Sequence, residues 1–150
     1  MLLAWRVCKR KYHPWDGAGA AQAGGRWNSP GRPVIYASDS FAGSLLEILA
    51  QSARPGTLPG PHHAIRLEIP DELVERHEPL GLAGWQLRDS SSARAFGDAW
   101  LETRRSAVLV VPALPSRPVG RAVLVNPRHP AAGRIAKGRP FAVPWGERLD

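Results

Sequence analysis

The chain has one cysteine, Cys8, among 150 residues. A single thiol excludes an intrachain disulfide framework and an all-cysteine zinc site, and the apolar neighbours of Cys8 point to a packing role. Runs of eighteen apolar residues are also missing, so no membrane-spanning helix is expected. The opening MLLAWRVCKRKYH carries most of its charges after a short apolar run, the reverse of a secretory signal. A cytoplasmic protein is the expectation. Lysine is scarce: only Lys9, Lys11 and Lys137 contribute to the 20 Lys and Arg that oppose 13 Asp and Glu. The net charge of +7 is therefore mostly arginine, whose planar fork suits phosphates and carboxylates, and it implies an anionic partner.

The length suits one domain over residues 1–150, with a single core burying roughly two thirds of the surface of the unfolded chain. Leu2 to Lys9 alternates as a strand, with Trp5 and Val7 set against Arg6 and Cys8. Residues 13–33 hold five glycines and three prolines, which predicts a long loop, and a short strand follows at Val34 to Ala37. Asp39 or Ser40 can cap a helix running to about Ser52, where Arg54-Pro55-Gly56 ends it. A turn-rich connector precedes a strand carrying Ile65, Leu67 and Ile69 on one face; residues 70–90 read as irregular. Ser91 to Arg105 looks helical despite Gly97, and Ala107 to Val111 and Ala122 to Val125 read as buried strands. The proline-rich C-terminal stretch reads as mostly loop. The sum is one mixed α/β or α+β domain.

Within the helix, Phe41, Leu45, Ile48, Leu49 and Ser52 share one stripe, while Gly43, Glu47 and Ala50 lie on the far side. Glu47 is the only charge there, so it is either a surface acid or the acid of a face that backbone or ligand approaches closely. Arg6 stands on a strand among apolar neighbours, where an unpaired cation is costly, and should meet a carboxylate or an anionic ligand. Arg26 follows Gly24-Gly25, which is a simple turn or a segment whose backbone can approach a bound group. Tyr36 can stack on a flat ring or pack with its hydroxyl satisfied.

Other patterns carry less. Gly17-Ala18-Gly19 lacks the spacing of a dinucleotide fingerprint, and no P-loop occurs. His62-His63 has no spaced partners for zinc, so no metal is expected, and no arrangement of Ser, His and Asp marks a triad. Despite +7, neither a helix-turn-helix, nor finger spacing, nor an aromatic-basic platform is present, which argues against direct nucleic-acid binding, although a basic nucleic-acid-binding module stays the alternative from composition.

Taken together, WR at 5–6, GGRWNSPG at 24–31, VIYAS at 34–38, the helix bearing Glu47, GDAWL at 97–101 and NPRHP at 126–130 resemble the RES domain family. The resemblance implies a fold similar to ADP-ribosyltransferase toxins and the toxin role in a bacterial toxin–antitoxin pair, with an Xre-type helix-turn-helix antitoxin as partner. It also implies an activity that consumes NAD. Carried over by position, it implies Arg6, Arg26 and Tyr36 as NAD-binding residues, and Glu47 and Tyr36 as catalytic ones. Two places depart from the family. Val111-Pro112-Ala113 has alanine where serine is usual, and GRAVLV lacks an asparagine often found there. These departures imply that Ser116 substitutes through a shifted loop, that the site works without the hydroxyl, or that activity is reduced to nucleotide or partner binding.

Overall fold

The valine-rich runs of the second half form the centre of a mixed sheet in the computed structural model, which describes residues 1–51, 59–77 and 81–145. In order of sequence the strands are β1 (Leu2–Lys9), β2 (Ile35–Ser38), β3 (His62–Ile69), β4 (Val74–Arg76), β5 (Val108–Pro112), β6 (Arg121–Val125), β7 (Ala136–Lys137) and β8 (Phe141–Ala142). Across the sheet they run β4-β5-β6-β2-β1-β3-β7, with β8 also on β3. Only β4 with β5 is parallel among these pairings. With three helices, α1 (Ala18–Ala23), α2 (Phe41–Ala50) and α3 (Ser91–Thr103), the fold is α+β, as expected.

Strand alternation divides the apolar residues between the two faces of the sheet. Val108, Val110, Val123 and Val125 join Ile35, Ile65, Leu67 and Ile69 in one core. Leu109, Val111 and Leu124 join Trp27 and the α3 residues Ala93, Trp100 and Leu101 in another. A smaller cluster of Val7, Ala64 and Val143 lies beneath Phe41, Leu45 and Ile48 of α2.

Three expectations need correction, and the mostly irregular C-terminal stretch adds two short edge strands. The 13–33 loop contains α1: its alanine-rich AGAAQA favours a helix, and Gly17 and Gly24, at φ 67° and 74°, bracket it in conformations only glycine adopts readily. The irregular 70–90 stretch contains β4, which gains its partners from β5 over thirty residues away in sequence. The C-terminal stretch supplies β7 and β8 to the β3 edge. In α2, Leu49 is exposed, because Ser44 sits at the middle of the contact with β1 and turns the buried arc toward Phe41, Leu45 and Ile48. The expected end of this helix, from Ser52 to Gly56, lies outside the described residues. No helix among the described residues is long and apolar enough to cross a membrane.

The feature that positions a site is an uneven seam. β1 and β3 are joined in register over eight residue pairs, from Leu2↔Ile69 to Lys9↔His62. β1 and β2 share one, Trp5↔Ser38. Beyond that pair the strands part, and α2 follows β2 directly, so the opening is flanked by β1, β2 and the first helix after them.

Candidate active site

Where β1 and β2 part, a cleft of about 280 Å³ opens, near the lower end of the roughly 300–1,000 Å³ typical of small-molecule sites. Arg6, Arg26, Tyr36 and Glu47 all line it, together with Ser38 and Ser44. The four residues singled out in the sequence are thus brought to one hollow from β1, the 24–32 loop, β2 and α2.

Arg6 fills the gap that the ladder leaves. Its Nη1 donates to the Tyr36 carbonyl at 3.1 Å and its Nε to the Pro14 carbonyl at 3.4 Å. No ion pair holds it among the described residues, so of the two partners expected for it, the carboxylate is not supplied by the described protein. Burial lowers its pKa from the ordinary value, against the attraction of Cys8 and Asp16. A guanidinium remains protonated even so. The result is a largely desolvated cation satisfied by carbonyl dipoles alone, a preformed seat for an anion.

Arg26 is fixed from the other side, its Nη1 donating to the carbonyls of Trp85 and Leu87, both at 2.9 Å. The loop that carries it is anchored at several points. Asn28, fully buried, donates through Nδ2 to the Ala20 and Arg32 carbonyls at 2.9 and 3.0 Å and accepts the Tyr36 hydroxyl at 2.6 Å. That same hydroxyl accepts the Trp27 N–H at 3.1 Å. Asp98 of α3 accepts from both the backbone N–H and the hydroxyl of Ser29, at 2.8 and 2.5 Å. Trp27 stacks on Trp85 with ring centroids 6.0 Å apart. Two glycines have steric causes here. A Cβ on Gly25 would come within 2.6 Å of the Tyr36 hydroxyl, and one on Gly97 would overlap the Trp27 carbonyl, so α3 tolerates Gly97 in order to lie against the loop. Gly25 therefore makes room for Tyr36.

Tyr36 has the packed, satisfied hydroxyl that was one of its two expectations, and burial raises its pKa. It joins the loop to the sheet while its ring borders the cleft.

Glu47 lies on the cleft side of α2, whose start is capped by Ser40 accepting the Gly43 N–H at 2.9 Å. Asp39, the other cap candidate, accepts the Arg121 N–H at 3.0 Å instead. The small-residue face has a physical reason: a Cβ on Gly43 would come within 2.6 Å of the Ser38 hydroxyl, and Ser44 donates to the Trp5 carbonyl at 2.9 Å. Helix and sheet approach closely, and Glu47 is left at the margin of that contact. The one hydrogen bond to its carboxylate among the described residues comes from the Gln51 side chain, at 3.3 Å. Burial raises its pKa, opposed by Gln51 and by the positive charge of Arg26.

Ala113 also lines the cleft, whereas Ser116 is not part of its wall and packs beside Gly120. No hydroxyl is therefore brought in from that turn. Ser38, Ser44, Asn28 and Asp98 were not singled out in the sequence. The signal for Ser44 was present: a small polar residue at the border between the apolar stripe and the small-residue face. Asn28 and Asp98 gave none, because their partners come from other elements. Among the described residues no group of three or more His, Cys, Asp or Glu could hold a metal ion. Cys8 is buried, its Sγ 3.1 Å from His63 Nε2.

The comparisons with known proteins agree with this architecture. Residues 3–146 match the RES domain, and the chain belongs to that family. It is 35% identical over 140 residues to the Prs ADP-ribosylating toxin of a Sphingobium species, covering 87% of this chain and 86% of that protein. It is 32% identical over 132 residues to Toxin Res of Pseudomonas putida, covering 87% and 88%. A chain in the crystal structure of the M. tuberculosis MbcT–MbcA toxin–antitoxin complex has the same fold, with a TM-score of 0.74 and 22% identity over 94% of this chain and 83% of that one.

Proposed function

We propose that this protein is the toxin of a toxin–antitoxin pair and that it cleaves the bond between nicotinamide and ribose in NAD, its substrate. The observation that carries this reading is the convergence of Arg6, Arg26 and Glu47 on one cleft, with both cations held by carbonyls and in no ion pair with a described carboxylate. Its similarity to an ADP-ribosylating toxin supports NAD as the substrate.

Nicotinamide leaves as a neutral molecule, so positive charge grows on the ribose as the bond breaks. Glu47, ionised, stabilises that charge and holds ribose hydroxyls. Arg6 and Arg26 clamp the pyrophosphate through charge-assisted hydrogen bonds and orient the bond for ionisation. Tyr36 packs against nicotinamide or its ribose. The cleft volume suits one end of the dinucleotide, with the rest extending outward. The acceptor is water, phosphate or a protein side chain, and the partner is an antitoxin of the Xre type.

Incubation with NAD tests this. Free nicotinamide is expected with the wild type and not with Glu47→Ala. Absence of release by the wild type removes the enzymatic reading, and equal release by the variant removes Glu47 from its role. A second reading, NAD binding without turnover, is favoured by Ala113 at the cleft wall; saturable NAD binding without nicotinamide release by the wild type selects it.

A further inference from the structure

A second concavity of about 270 Å³ shares no wall residue with the cleft. It is lined by Arg32, Leu101, Glu102, Arg104, Asn126 and Arg128, with Pro33. Of its three guanidiniums, Arg32 is committed to Glu102, at 2.5 Å, and to Asp98. The side chains of Arg104 and Arg128 make no ion pair or hydrogen bond among the described residues. The wall therefore carries three positive charges against one carboxylate that is already paired. Like charges gathered in a concave surface repel, and an anion between them relieves that repulsion.

Two further observations point to a ligand. Asn126 is 3% exposed, yet only its Oδ1 is used, accepting the Arg128 N–H at 3.0 Å; its amide nitrogen has no partner among the described residues. The Asn126 amide nitrogen, reached by solvent and without a protein partner on the wall of a cavity, is a donor that a phosphoryl oxygen can use. Arg104 ends α3 with φ 51°, in the left-handed region where glycine or asparagine is the usual residue. An arginine there accepts backbone strain while placing a cation at the cavity.

We infer that Arg104, Arg128 and Asn126 form a second anion site, separate from the NAD cleft, that takes the phosphoryl group of a small phosphorylated molecule. The concave wall and the single open amide donor favour a discrete group over a nucleic-acid backbone, which runs along extended basic tracks.

The probe is inorganic phosphate, titrated calorimetrically at constant ionic strength into the full chain carrying Arg6→Gln and Arg26→Ala, which together disable the cleft as a competing phosphate seat. One equivalent is expected to bind. Arg104→Asn with Arg128→Ala, both on exposed side chains and the first suited to the left-handed backbone, is expected to weaken binding at least tenfold. Asn126→Asp, adding a negative charge to the wall, is expected to weaken it similarly, with folding checked by circular dichroism. Acetate at the same ionic strength is expected to bind at least tenfold more weakly. No phosphate binding to the chain carrying Arg6→Gln and Arg26→Ala, or binding indifferent to Arg104 and Arg128, overturns the site. Acetate binding as well as phosphate overturns the phosphoryl assignment. Tighter, steeply salt-dependent binding of a short DNA duplex, lost with the same two arginines, overturns the small-molecule class.

Discussion

Two glutamates of this chain sit in opposite circumstances. Glu75, on β4, accepts from Arg105 Nε at 2.8 and 3.0 Å, faces His77 Nε2 at 2.5 Å and receives the Ser106 hydroxyl at 3.3 Å. The Arg105 hydrogen bond, outweighing burial and helped by His77, pulls its pKa below the ordinary value of 4.5. The Glu47 carboxylate has the Gln51 side chain alone as a hydrogen-bond partner among the described residues, and burial pushes its pKa the other way. Glu75 is neutralised by its own chain and ties the β4 edge to the end of α3. Glu47 is partly desolvated and left without an ion-pair partner beside two cations that are themselves unpaired, an arrangement that costs stability unless something arrives to use it. On the proposed function, the difference separates an acid that serves the fold from one that serves a ligand.

The largest expected contrast is catalytic. Glu47→Gln should lower the rate of nicotinamide release from NAD by about 10²–10³, the scale of losing one electrostatic stabiliser of a transition state. Glu75→Gln should leave that rate within about twofold. Comparable losses in both would erase the distinction.

Gly97→Ala probes whether the Arg26 side of the cleft depends on the clamp behind it. The added methyl meets the Trp27 carbonyl, and a loss of about 2–3 kcal/mol in urea unfolding is expected. A raised KM for NAD should accompany it, since Trp27 adjoins Arg26. Stability unchanged within error would show that the loop moves freely off α3.

Stability at different pH should separate the two acids by sign. Glu75, with a depressed folded pKa, contributes stability above its unfolded pKa near 4.5, and that contribution is lost as pH falls through the lower folded value. Glu75→Gln should therefore cost about 1 kcal/mol at pH 7 and little in acid. Glu47, with a raised folded pKa, favours the folded state most when protonated, and the benefit is lost as pH rises through the folded value. Glu47→Gln should be neutral to stabilising at pH 7. Denaturant midpoints for both variants at pH 4 and pH 7 check this, and a destabilised Glu47→Gln at pH 7 would contradict it. Least of all, Tyr36→Phe removes the bonds to Asn28 and the Trp27 N–H and should cost about 1 kcal/mol, visible as a lowered Tm.

Much of this contrast could be read in the sequence, and some of it could not. Arg6 and Glu47 stood out because each violates the pattern of its own element, a cation on an apolar strand and a lone acid on a small-residue face. Arg26 stood out through Gly24-Gly25, Tyr36 through its place on the short strand before the helix, and both through the resemblance to the RES family. Long strands and the two longer helices followed from periodicity and capping. The clamp did not, because the Ser29–Asp98 pair spans 69 positions and no local spacing announces it. The two-residue strands β7 and β8 and the three-residue β4 owe their conformation to the edges they join, so their own residues carry little signal. α1 was hidden because four of the five glycines of residues 13–33 lie outside it and only Gly19 within it, so the glycine content of the whole stretch masks the helix.

The central claim is that two guanidiniums and one carboxylate meet on a single dinucleotide. NAD binding measured by calorimetry to Glu47→Gln, which should bind without turning over, tests it most directly when Arg26→Ala or Arg6→Gln is added to that background. Each addition is expected to weaken binding at least about tenfold, or about 1.4 kcal/mol, while Arg104→Asn leaves it unchanged. NAD affinity indifferent to Arg6 and Arg26 would contradict the claim.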